Sequence, residues 1–139
     1  MRRNEITSEL IELSKRAKEL GFPQDVEEGD FVCYINAYGN RETSVVTKVI
    51  SSKTFWLGDG SYLLEEDNWF LILSFSCCLE WLKKEGYLYL DAFLDDGIHW
   101  HLFSGQIEYD RTIKKDSFGK AKTHHEAIAK AVVKILEDK

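Results

Sequence analysis

The stretch Tyr87-Leu88-Tyr89-Leu90-Asp91-Ala92-Phe93-Leu94-Asp95-Asp96-Gly97-Ile98-His99-Trp100-His101-Leu102-Phe103 decides how this chain is read. Two runs rich in rings and leucines flank an Asp-Asp-Gly turn, which is the pattern of an antiparallel hairpin. Its register matters because a slip of one residue exchanges the two faces of a sheet. A three-residue loop over Asp95-Asp96-Gly97, with Gly97 in a left-handed bulge position, sets Leu94 opposite Ile98, Ala92 opposite Trp100 and Leu90 opposite Leu102. A two-residue loop instead puts His99 and His101 on the leucine face. The three-residue loop is preferred because it gathers the apolar residues on one side.

Continuing through a two-residue turn at Ser104-Gly105, a third strand is expected over Gln106 to Ile113, with Leu102 opposite Ile107 and Trp100 opposite Tyr109. The core face then holds Leu88, Leu90, Ala92, Leu94, Ile98, Trp100, Leu102, Ile107 and Tyr109. The opposite face holds Tyr87, Tyr89, Asp91, Phe93, His99, His101, Phe103, Glu108 and Asp110. On it His101 lies between Asp91 and Glu108, and His99 between Phe93 and Asp110.

Helices are expected on both sides of these strands. Ser74 can cap a segment whose apolar residues are Cys77, Cys78, Leu79, Trp81 and Leu82, with Lys83 and Lys84 in its last turn, where cations suit the dipole. Thr123-His124-His125-Glu126 reads as a capping box. The apolar residues after it, Ile128, Ala131, Val132, Ile135 and Leu136, follow the i, i+3, i+4, i+7, i+8 spacing of one helix face. The two helices are expected to cover the core face of the sheet, giving an α-β-β-β-α unit over 74–139.

Upstream, Ile6, Leu10, Leu13, Ala17 and Leu20 share one face of an amphipathic helix over 4–20. Asn4 or Thr7 is placed to cap its start, and Gly21 and Pro23 end it. Between 26 and 73 short strands divided by glycine turns are expected at 31–35, 43–50, 53–57 and 61–64. They suggest a small SH3-like barrel or meander, a fold that by itself carries no activity. The chain is thus expected to be α+β, with 1–73 and 74–139 as subdomains, separate or sharing one core.

Composition excludes several classes. The chain has 139 residues, 44% hydrophobic and 13% aromatic, ample for a packed interior without staples. No run of about 18 apolar residues spans a bilayer. The basic Met1-Arg2-Arg3 start is followed by charged residues rather than the apolar core of a signal peptide, so the cytoplasm is the expected compartment. Cys33, Cys77 and Cys78 form no metal-type spacing, and reduced thiols are expected. A formal charge of −6 speaks against direct grip on a nucleic-acid backbone. It permits binding to basic proteins, and ordinary solubility explains it as well.

The chemistry-bearing groups are few. His99 and His101, with one of Asp91, Glu108 or Asp110, have ligand types that suit zinc or iron, so a small metal-binding protein or metal-dependent hydrolase is one reading. Cross-strand pairs of His with Asp or Glu on a half-exposed sheet face are the plainer account. His124 and His125 sit in a first helical turn, where the dipole disfavours imidazolium. Cys77 and Cys78 belong to a helix that faces the sheet and are expected to be inert. Asp95-Asp96-Gly97 and Asp59-Gly60 lack the other oxygen ligands of a calcium loop and read as turns. No phosphate loop and no nucleophile triad occur.

The segments Ser74-Phe75-Ser76-Cys77-Cys78-Leu79-Glu80-Trp81-Leu82-Lys83-Lys84-Glu85-Gly86 and Thr123-His124-His125-Glu126-Ala127-Ile128-Ala129-Lys130-Ala131 resemble small uncharacterised proteins of bacteria and their prophages. Leu13 to Phe22 resembles the opening such proteins often carry. The second half is similar to the phage ABA sandwich domain. The resemblance implies an accessory protein of a phage or mobile element and transfers no catalytic residue. Together these readings lead to an expected non-enzymatic protein-interaction module with a protein partner, no cofactor and no resident metal. Its candidate interaction face is Tyr89, Asp91, Phe93, His99, His101, Phe103, Glu108 and Asp110.

Overall fold

The computed structural model describes residues 1–51, 54–64, 68–104 and 114–139. The fold is α+β, with three helices and two antiparallel sheets among these residues. The chain divides into two compact units, Met1–Ile72 and Leu73–Lys139.

In the first unit, α1 (Ser8–Glu19) starts later than its apolar stripe predicts, because Thr7 takes the cap: its Oγ1 accepts from the Leu10 amide at 3.1 Å. A 3-10 turn over Arg3–Glu5 precedes it. The buried seam of α1 is Leu10, Ser14 and Ala17, and Ser14 is satisfied there by donating to the Leu10 carbonyl at 2.8 Å. Five strands follow: β1 (Phe31–Ile35), β2 (Arg41–Ser51), β3 (Thr54–Leu57), β4 (Tyr62–Leu64) and β5 (Trp69–Leu71), in the order β4-β3-β2-β1-β5. The eleven-residue β2 pairs with β1 through Arg41–Val45 and with β3 through Val46–Ser51, and irregularities against β3 bend it so that it serves both partners. One apolar cluster fills the curled sheet: Val32, Tyr34, Val46, Phe55, Leu57, Leu63 and Trp69, with Phe55 edge-on to Trp69 at 4.9 Å between centroids.

The second unit runs α2 (Phe75–Lys84), β6 (Leu88–Leu94), β7 (Gly97–Ser104), β8 (Lys114–Ala121) and α3 (His124–Glu137), with sheet order β6-β7-β8. Ser74 Oγ accepts from the Cys77 amide at 3.2 Å and Thr123 Oγ1 from the Glu126 amide at 3.1 Å, so both helices begin at hydroxyl caps. In α3, Ile128, Ala131, Val132, Ile135 and Leu136 are all buried, as is Glu126 in the first turn.

The hairpin corrects the sequence-based register. Leu94 pairs with Gly97, Ala92 with His99, Leu90 with His101 and Leu88 with Phe103, so the loop is the two residues Asp95-Asp96. The inner face is therefore Tyr89, Asp91, Phe93, Ile98, Trp100 and Leu102, and the β6 leucines Leu88, Leu90 and Leu94 face away from the helices. Physically, Leu-Tyr-Leu-Asp-Ala-Phe-Leu is apolar on both of its faces, so counting apolar residues cannot choose between them. Size decides instead. Burying one large ring removes about 150–250 Å² from water, and Tyr89 and Trp100 are both buried on the inner face, together with Ile98 and Leu102.

The third strand is corrected too. The edge of β7 expected to pair with 106–113 is taken by Lys114–Ala121, with Trp100 opposite Gly119 and Leu102 opposite Ser117. The strand expected over Gln106–Ile113 itself lies outside the described residues. Gly97 suits this close packing: a Cβ there would stand 2.7 Å from the Ala121 carbonyl oxygen, and Gly97 holds φ +130.

Candidate functional site

With the register shifted by one, the expected interaction face is divided. Tyr89, Asp91 and Phe93 lie on the inner face of the sheet, and His99, His101 and Phe103 on the outer. Glu108 and Asp110 lie outside the described residues. The metal set that joined His99 and His101 to Asp91 is thereby broken, since its members project from opposite sides. Among the described residues, no group of three His, Cys, Asp or Glu side chains is placed to hold a metal ion.

What the outer face presents instead is apolar. Leu88 and Leu90 are each 50% exposed, Leu94 49% and Phe118 70%. His101 sits opposite both Leu90 and Phe118, and its ring stacks on Phe103 at 6.3 Å between centroids. Among the described side chains of this face, charge gathers at the hairpin end. There Asp96 Oδ1 meets His99 Nε2 at 2.7 Å, and Asp96 Oδ2 accepts from Lys120 Nζ at 3.3 Å. The His99 hydrogen bond, then that of Lys120, holds the Asp96 carboxyl below its ordinary value. Single exposed leucines are ordinary, whereas this face sets three of them along one strand.

The inner face carries the polar constellation. The Tyr89 hydroxyl donates to Asp91 Oδ2 at 2.9 Å, and His124 Nδ1 meets the same oxygen at 3.0 Å. The Phe75 ring, from the first turn of α2, lies edge-on to Tyr89 at 6.0 Å and to His125 at 6.3 Å. Burial, then the hydrogen bond to Asp91, pushes the Tyr89 hydroxyl well up. Asp91 thus stands beside the first turn of α3, where a carboxylate complements the positive helix end. A carboxylate that orients an imidazole through Nδ1 is also half of a catalytic base arrangement. The cysteine of α2 that packs beneath is a poor nucleophile to join it: Cys78 is fully buried, and burial raises its thiol well above the ordinary value, whereas a reactive thiol needs it lowered. The cluster ties the starts of both helices to β6.

Sequence reasoning set Ile98, Trp100 and Leu102 inward and His99, His101 and Phe103 outward, as observed, but exchanged the two sides of β6, and it missed Phe118 and Lys120 altogether. The segment Lys114–Ala121 is too polar to announce itself as a strand. Its alternation of Phe118 and Lys120 against Ser117 and Gly119 is the one available signal. Comparison with protein-family models, with curated proteins and with solved structures finds no match to this chain. No helix among the described residues is long and apolar enough to cross a membrane.

Proposed function

We propose that this protein is a non-enzymatic interaction module that binds an amphipathic helix of a protein partner on the outer face of the β6-β7-β8 sheet. The observation that carries this reading is the half-exposed row Leu88, Leu90 and Leu94, flanked by Phe118. Three strands about 4.8 Å apart and seven residues long at about 3.3 Å each make a platform roughly 14 by 23 Å. A helix is about 10–12 Å across and rises about 1.5 Å per residue, so one segment of about fifteen residues covers it. Such a partner turns a two-layer unit into a sheet with helices on both faces, and its leucine-type residues at i, i+3, i+4 and i+7 supply the contact. The resemblance of Ser74–Gly86 and Thr123–Ala131 to prophage-encoded proteins supports an accessory role in a phage or mobile element, acting in the cytoplasm.

A photo-crosslinking amino acid at position 90 tests the reading in cells, with the exposed position 83 on α2 as control. One crosslinked species at 90, absent at 83 and abolished by Leu88→Lys/Leu94→Lys, is expected. Equal crosslinking at both positions, or none at 90, overturns it.

A further inference from the structure

The first unit contains a groove that the interaction reading does not use. It lies between α1 and the strands β1 and β5, is open on one side, and has a volume of about 340 Å³. Its walls carry Lys15 and Lys18 from α1 and Arg41 from the start of β2, against one carboxylate, Glu19. Counting Glu12, which pairs with Arg41, three cations meet two carboxylates here, the reverse in sign of the chain's overall balance of −6.

Two of these cations are held in place. Arg41 is anchored through Nη1 to Glu12 Oε1 at 2.6 Å, which leaves the rest of a five-donor guanidinium to serve a ligand. Lys18 Nζ donates to the Trp69 carbonyl and lies 5.3 Å from the centroid of the Trp69 ring. Glu19, the opposing charge, is drawn toward Arg16 at 3.7 Å. The floor is apolar: Cys33 and Phe70 are buried, while Ile35 is 42% exposed. An exposed isoleucine beside anchored cations fits a ligand with an apolar body and an anionic end.

We propose that this groove is a binding site for a small organic anion, a carboxylate or sulfonate on an aromatic or branched aliphatic body. Its anionic group meets Lys15, Lys18 and Arg41, and its body lies on Ile35 and Phe70. The volume equals about eleven water molecules at ~30 Å³ each, enough for a two-ring body, and it sits near the low end of the ~300–1,000 Å³ typical of ligand pockets.

The test is an amide-shift titration of the full-length protein by NMR with three probes of one shape: naphthalene-1-sulfonate, 1-naphthalenemethanol and 1-naphthylmethylammonium. The sulfonate is expected to give saturable shifts at Lys15, Lys18, Ile35, Arg41 and Phe70. The alcohol should bind about tenfold more weakly or worse, and the ammonium not at all, since a charge-assisted hydrogen bond contributes on that order. Lys15→Glu should weaken the sulfonate at least about tenfold by the same argument, while Lys48→Glu on exposed β2 leaves it unchanged. Equal binding of the three probes, insensitivity to Lys15→Glu, or shifts centred on Leu88, Leu90 and Phe118 instead would each overturn the proposal.

Discussion

The indole of Trp100 occupies the space that a side chain at Gly119 would need: a Cβ built on Gly119 stands 2.6 Å from Trp100 Cζ2 and 2.8 Å from its Nε1. The two residues are cross-strand partners on the inner face, and Trp100 is only 4% exposed, so the ring cannot swing away. The glycine is what allows a tryptophan to lie flat beneath the helices. Gly119→Ala is therefore expected to destabilise the protein by about 1–3 kcal/mol, the usual range for overpacking a filled core. Urea denaturation measures this, and Gly119→Ala/Trp100→Phe should recover part of the loss.

The register makes opposite demands on neighbouring positions of the hairpin. Leu102 is completely buried, and Leu102→Ala should cost about 2–5 kcal/mol. Leu90, half exposed opposite His101, should tolerate Leu90→Lys within about 0.5 kcal/mol. Had the loop held three residues, Leu90 and Leu102 would be partners on one face and both changes would be severe. Denaturation midpoints of the two variants separate these registers directly.

Asp91 is the acceptor on which Tyr89 and His124 converge. Asp91→Ala leaves a buried phenol without its acceptor and removes the carboxylate beside the start of α3, at an expected cost of about 1–3 kcal/mol. His124→Ala removes only a partner whose side chain is 54% exposed, and should cost far less. A double-mutant cycle on the pair, read by thermal denaturation, should return a small coupling energy.

Two carboxylates should bend the stability–pH curve in opposite directions. Asp59 is held below its ordinary value of 3.8 by the Ser61 hydroxyl and then by the Tyr34 hydroxyl, which donates to it at 2.7 Å. Its contribution is complete above 3.8 and is lost as pH falls through its lower folded value. Asp30 is raised from the same ordinary value by burial, so its ionisation opposes folding above 3.8 and that penalty disappears on acidification. Asp59→Asn is expected to flatten the acid loss of stability and Asp30→Asn to steepen it. Chemical denaturation across the acid range reads both slopes.

Capping is the part of the fold most plainly written in the chain. Thr7, Ser74 and Thr123 each place a hydroxyl oxygen on an amide three residues ahead, and the apolar face of α3 is continuous from Ile128 to Leu136. These are local facts: a cap needs one side chain and one turn, and a helix face needs only a spacing. The α+β class and the hairpin centred on Asp95-Asp96 are legible for the same reason.

The side each strand residue faces was not local. Alternation in 87–94 offers two apolar faces, and the choice fell to Tyr89 and to Trp100, whose ring lies where Gly119 leaves room. The third strand was not local either. Lys114–Ala121 has little strand pattern of its own and is a strand because the hydrogen-bonding edge of β7 must be satisfied by some segment. So the sequence by itself determined the three helices, the hydroxyl caps at Ser74 and Thr123, and the hairpin at Asp95-Asp96. Tertiary packing alone decided that the leucines of β6 face outward. The volume of rings and the accounting of buried hydrogen bonds are properties of the assembled core, and no window of sequence contains them.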